Sequence, residues 1–230
     1  MRAAQDDLAA LRDLDAGRLR VGAFDSADAA LVPRALAAFR AAYPKVSLSL
    51  VEGITTVQLG RLQHGEIDVA VVSAYPDRTL DTGQLHLRHL LDDPLMVALP
   101  AGHRLAHGKA LRLAELAGES WIEGFPAGSE TLVDACRRAG FRPRIEFGVR
   151  EWTAKQGFVA AGLGLALVPL LAAGAIRPDV VLCPLHPHDA PVRTVHAATW
   201  PGVATPPPVA AFLQCLHAIA SDLRTARPAR

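Results

Sequence analysis

The stretch from Arg18 to Val72 constrains this chain most. Short apolar runs alternate there with amphipathic ones: "RLRVGAF", a helical pattern to about Tyr43, "VSLSLVE" (Val46–Glu52), a second helical pattern, and Ile67–Val72. In the first run Leu19, Val21 and Ala23 alternate with Arg18, Arg20 and Gly22, the period-two pattern of a strand. Asp25-Ser26-Ala27-Asp28 then supplies helix-capping residues, and Val32, Leu36, Phe39 and Tyr43 recur on one helical face. Pro33 inside that pattern either kinks the helix or sits in its first turn, and Pro44 ends it. Thr55-Thr56 opens the second helix, with Leu59 and Leu62 inward and Gly65 at its end. Strand–helix–strand–helix–strand predicts parallel strands joined by right-handed crossovers. In such open sheets, ligands bind at the carboxyl ends of the strands.

The pattern repeats with a variation. Strands are expected at Leu95–Leu99, Trp121-Ile122, Arg144–Val149, Leu165–Val168, Val180–Leu182 and Val195–Ala198, with a helical turn at Leu113–Leu116. Helices are expected from Ser129 to about Ala139, from Thr153 to Ala161, and from Pro206 through an apolar face that includes Phe212 and Leu216. Ala4–Leu14 reads as a further short amphipathic helix, marginal on its own. Two similar α/β halves form a cleft, and clefts between lobes are preferred small-molecule sites.

"FVAAGLGLALVP" (Phe158–Pro169) contains the start of a dinucleotide fingerprint, but the element order is reversed. The fingerprint needs strand, glycine turn, helix; here a helical pattern precedes Gly162 and Gly164, a strand pattern follows, and Leu167 occupies the third glycine position. A helix exit feeding a strand fits better, so no cofactor is expected. His86, His89 and the His186-Pro187-His188-Asp189 cluster do not give a converging set of three or four zinc ligands, so no metal is expected either. There is no GxSxG, and Cys136 and Cys215 read as packing residues, so no enzyme activity is expected. Three widely spaced cysteines suit free thiols in a reducing compartment. The sequence shows neither a secretory signal nor an apolar run long enough to span a membrane, so a cytoplasmic location is expected. A net charge of +1 lacks the basic excess of a stand-alone DNA-binding domain.

Ser26, Thr55, Thr56, Ser129 and Thr153 each fall at a helix start just beyond a strand. Singly, each reads as an N-cap. Together, hydroxyls and unpaired backbone N–H groups at helix N-termini suit an anionic group such as a carboxylate. Trp152, Trp121 and Phe125 could add an aromatic wall, although Trp121 is better explained as core.

In order along the chain, "GRLRVGAF", "LVPRALAAFRAAYPKVSLSLVEG", "LGRLQHGEIDVAVV" with Asp68, "PLMVALPAGHRLA" and "FVAAGLGLALVP" resemble the effector-binding region of LysR-type transcriptional regulators. The resemblance implies two Rossmann-like lobes joined by two crossover strands, like type 2 periplasmic binding proteins, with crossovers near Met96–Leu99 and Val195–Ala198. It implies a linker-helix remnant at 1–16, a first lobe at 17–94 plus 196–224, a second at 95–195 and a tail at 225–230. It places effector contacts at Ser26, Thr55, Thr56, Ser129, Trp152 and Thr153. The implied partners are a small-molecule effector and a second copy of the chain, with a tetramer in the full-length form. Family members carry an N-terminal winged helix-turn-helix that this sequence lacks, so the chain is expected to sense an effector and to reach DNA only through that missing domain. A solute-binding protein for transport, built on the same fold, is the alternative.

Overall fold

The computed structural model describes residues 17–76, 80–107, 109–124, 130–201 and 205–225. The expected helix at Ala4–Leu14, Ser129, Phe125 and the tail beyond Thr225 lie outside them. The described residues fall into two compact units: those up to Asp92 together with those from Arg193 onward, and Asp93–Val192.

The first unit is built on β1 (Arg18–Ala23), β2 (Ser47–Glu52) and β3 (Val69–Ala74). Strand β1 lies between the other two and runs parallel to both, as the alternation predicts. Beyond β3 comes β9 (Val192–Thr199), antiparallel to it, and β9 neighbours β4 (His86–Pro100). On the helical side, α2 (Leu31–Ala42) packs on α6 (Pro207–Thr225), with the Phe39 and Phe212 rings edge to face at 5.8 Å. The register of β1 against β3 is fixed by Asp68. Its carboxylate takes Arg20 N at 2.8 Å and two guanidinium nitrogens at 3.1 and 2.6 Å.

The second unit holds the rest of β4 between β7 (Ala166–Pro169) and β8 (Val180–Pro184), both antiparallel to it. It also holds a parallel pair, β5 (Ser120–Glu123) and β6 (Arg144–Gly148), which joins β7 through a bridge from Trp121 to Leu165. Helices α4 (Glu130–Arg138) and α5 (Trp152–Ala160) cover this unit. The chain passes between the units twice: within β4 at Asp92-Asp93, and at the start of β9.

Two local differences from the sequence reading have physical reasons. The residues Asp25–Asp28, expected to cap a helix running to about Tyr43, form a short helix of their own, α1 (Asp25–Asp28), ahead of α2. Pro33 is the third residue of α2, where its missing N–H costs nothing, but its ring excludes a helical carbonyl four residues back, at Ala29, so the chain breaks there. Strand β4 starts at His86 rather than Leu95, because Asp92-Asp93-Pro94 imitates a turn. Asp93 instead is buried within the strand, where its Oδ1 accepts Leu171 N at 3.0 Å. Between α5 and β7 the order is as expected: Gly162 (φ +73°) ends the helix, and a Cβ on Gly164 would come within 3.0 Å of the Ser120 carbonyl oxygen.

Candidate functional site

In the first unit, the carboxyl ends of β1, β2 and β3 meet the starts of α1 and of α3 (Thr55–Gln63). The hydroxyls expected there are present, but not as N-caps. The cap position of α1 is Phe24 and that of α3 is Ile54, and neither side chain caps. Ser26 is the second residue of α1, and its Oγ accepts Arg193 Nη2 at 2.6 Å. The Arg193 guanidinium lies 4.8 Å from the centre of the Phe24 ring and is buried, so this cation is built into the edge of the unit. Thr55 Oγ1 accepts Ser73 N at 3.0 Å and donates to Ser73 O at 3.2 Å, stitching α3 to the end of β3. Thr56, one residue on, is exposed. Beneath them, Gln58 is fully buried, and its Nε2 donates to Ala23 O at 2.9 Å and Val51 O at 2.8 Å.

Sequence reasoning missed Asp28 as more than a capping residue. Its Oδ1 is enclosed without a hydrogen-bond partner. Burial, then Glu52, then Asp25 push its carboxyl up to about 7 from the ordinary 3.8. A carboxyl raised in the folded state favours folding most below its unfolded value, and that contribution is lost as pH rises through about 7. Asp28→Asn is therefore expected to melt higher than the parent at pH 8 and to lose most of that advantage at pH 5. Equal melting differences at both pH values would contradict this assignment.

In the second unit, Trp152 and Thr153 are the first two residues of α5. Thr153 is exposed and is not the cap; the cap is Glu151, whose carboxylate accepts Thr153 N at 2.8 Å and Ala154 N at 2.6 Å. Those two bonds hold the Glu151 carboxyl below its usual range. The helix end expected to receive a ligand anion thus already holds one from the protein. Trp152 is half-buried and packs on the cluster around Ile122, Val159 and Val168, with its indole N–H enclosed and unpartnered. One residue of α5 was not singled out by sequence reasoning. Lys155 is buried, at the carboxyl end of β5, with Nζ 3.8 Å from Glu123 Oε1.

Other side-chain groups have structural partners. Asp189, in the histidine-rich loop, is held by Arg112 at 2.6 Å and by Leu113 N at 3.0 Å, while the His186 and His188 rings stack at 5.3 Å. Among the described residues no cluster of three or more His, Cys, Asp or Glu could hold a metal, and no helix is long and apolar enough to cross a membrane. Cys136 and Cys183 are buried free thiols, and burial pushes Cys136 up to about 12, far from a nucleophile's range. A cavity of about 400 Å³ in the first unit is lined by Arg20, Leu62, Asp68, Trp200 and Val209. It opens at the other edge of the sheet and contains none of the hydroxyls discussed above.

A model of the LysR substrate binding domain matches residues 12–221. The transcriptional dual regulator GltC of Bacillus subtilis (strain 168) is 29% identical over 157 residues, covering 66% of this chain and 51% of that protein. The chain therefore spans about half the length of that relative. Among solved structures, the BenM effector binding domain with its effector benzoate superposes with a TM-score of 0.75 at 23% identity, covering 92% of this chain and 95% of that one. Full-length CbnR complexed with its target DNA superposes with a TM-score of 0.71 at 23% identity, covering 95% of this chain and 76% of that one. At that identity the likeness is one of fold: two α/β lobes of the type 2 periplasmic-binding-protein kind.

Proposed function

This chain belongs to the LysR substrate-binding domain family, and on that premise we propose that it is the effector-sensing module of a DNA-binding transcriptional regulator in the cytoplasm. The observation that carries this reading is the family match from residue 12 to residue 221. The relatives found are transcriptional regulators rather than enzymes or transport proteins. The effector is a small metabolite, and the carboxyl-edge side chains of each unit, Ser26, Thr55 and Thr56 in the first and Trp152 and Thr153 in the second, are its contacts, with Ser129 as a further one. A ligand acts in such a module only by preferring one arrangement of the protein over another.

A thermal-shift screen of metabolites tests the reading, because a ligand that binds only the native state raises the melting temperature by mass action. At least one small metabolite is expected to do so, and Ser26→Ala or Thr153→Ala to weaken it. If both variants bind the true effector unchanged, the contact assignment fails. If no metabolite of any charge class binds, the sensing role fails.

We also propose that the chain pairs as a homodimer through the outer strand of the first unit, with tetramers in the full-length form and DNA bound through a separate N-terminal domain. Strand β2 ends its sheet, and Leu50 and Val51 on it, with Ile54 and Val57 just beyond, are exposed. An uncovered apolar edge strand is a pairing surface. Leu50→Glu with Val51→Lys is expected to convert a dimer to a monomer in light scattering; an unchanged mass would place the interface elsewhere.

A further inference from the structure

Lys155 is one of only three lysines in the chain, with Lys45 and Lys109, and the others are exposed. It stands in the second turn of α5, its backbone N–H bonded to Glu151 O at 2.9 Å. Its side chain is 11% exposed. An ammonium carries three donors, which the protein, solvent or a ligand must meet. Yet among the described residues Lys155 Nζ makes no hydrogen bond. Glu123 Oε1, at 3.8 Å, is beyond hydrogen-bond reach and itself takes Gly124 N at 2.5 Å. Glu123 is thus placed to keep the lysine charged without satisfying it.

The surroundings fit a small ligand group. Gly124 follows β5, and a Cβ built there would lie 3.8 Å from Lys155 Nζ, 3.8 Å from Arg150 Cα and 3.9 Å from Val149 O. The ammonium therefore sits over a glycine, beside the carboxyl ends of the parallel strands β5 and β6, the edge of an α/β sheet where ligands bind. The neighbouring helix end cannot attract a second anion in the usual way, because the Glu151 carboxylate already occupies its amides. Burial also draws the Lys155 ammonium below its ordinary range, against the pull of Glu123, as an incompletely compensated cation requires.

We infer that Lys155 is the anion anchor of the second unit, its ammonium binding a carboxylate of the effector at the end of β5. The inference rests on the sensing role proposed above and narrows its ligand to a carboxylate-bearing class. The ligand oxygens supply the acceptors that Lys155 lacks, and a charge-assisted bond in a partly dry site is among the stronger polar contacts.

The test uses the whole chain, with lysine labelled at its ε-carbon incorporated biosynthetically, so that nuclear resonance shows three side-chain signals and Lys155→Arg assigns one. The probes are acetate, succinate, benzoate and their matching amides. At least one carboxylate is expected to move the Lys155 signal while Lys45 and Lys109 stay in place. The same carboxylate should raise the melting temperature where its amide does not. Lys155→Met should weaken that carboxylate by roughly tenfold or more, and Lys155→Arg by less. A carboxylate that binds without moving Lys155, or binds Lys155→Met equally well, overturns the anchor and leaves the sensing role standing. No shift of Lys155 with any probe overturns it too. The sensing role is then decided by the broader screen, which includes uncharged and cationic metabolites.

Discussion

Trp121→Ala is expected to destabilise the protein by about 3–5 kcal/mol, the largest effect of any single side-chain deletion proposed for it. Trp121 is completely buried among Leu113, Leu116, Leu132, Cys136 and Leu165, and its strand bridges β6 to β7. Deleting the indole leaves a void that neighbours drawn from several elements cannot all move to fill. For a chain of this size the melting temperature should fall by upward of about 6 °C. Trp121→Phe provides the contrast. The indole Nε1 is buried without a partner, so phenylalanine removes an unmet donor as well as some volume. Its cost is expected to stay near 1 kcal/mol or below, within the range of modest core swaps. Chemical denaturation of the two variants side by side checks both numbers. A phenylalanine variant as unstable as the alanine one would show that the indole N–H matters to the fold.

Gly22→Ala is expected to cost roughly 2–5 kcal/mol although it adds a single methyl group. Gly22 lies in the middle strand β1, opposite Val51 on one side and Ala70 on the other. A Cβ there would fall 2.3 Å from Gln58 Oε1 and 2.6 Å from Ile67 Cδ1. Gln58 cannot simply retreat, because its amide is bonded to Ala23 O and Val51 O on the two strands it clamps. Either the strand shifts or the clamp opens. Gln58→Ala makes room for the methyl, so the pair Gly22→Ala with Gln58→Ala should be less unstable than the two losses added together. Simple additivity in a double-mutant cycle would mean that the clash is relieved elsewhere.

Local periodicity was enough to read the parallel core of the first unit. Leu19, Val21 and Ala23 alternate as a half-buried strand must, and the helices of the crossovers carry their apolar stripe. What periodicity cannot carry is any feature set by a partner far along the chain. Thr55 reads as a cap from its neighbours, yet its hydroxyl is used by Ser73, and Ser26 is claimed by Arg193. At α5 the signal was present but offset: Glu151, two residues before Thr153, has the carboxylate that reaches the first free amides. Lys155 gave the weakest sign, a lone lysine between Ala154 and Gln156, and only the packing of β5 beneath it shows that the side chain is largely enclosed. The two halves were legible as repeated α/β patterns, whereas the position at which β4 passes from one to the other was hidden by Asp92-Asp93-Pro94.

The return of the chain to its first unit through β9 and α6 sets an order on its synthesis. Asp93–Val192 is an uninterrupted segment and can complete its own contacts as soon as it leaves the ribosome. The first unit cannot: Ala70 pairs with Ala198, and Phe39 waits for Phe212, each across the whole intervening segment. Until β9 and α6 emerge, β3 has an open edge and α2 an uncovered apolar face, both sticky to other chains. The nascent chain is therefore most exposed to aggregation after the second unit has emerged and before α6 has. Stopping translation ahead of α6 should leave a folded second unit tethered to a protease-sensitive first one.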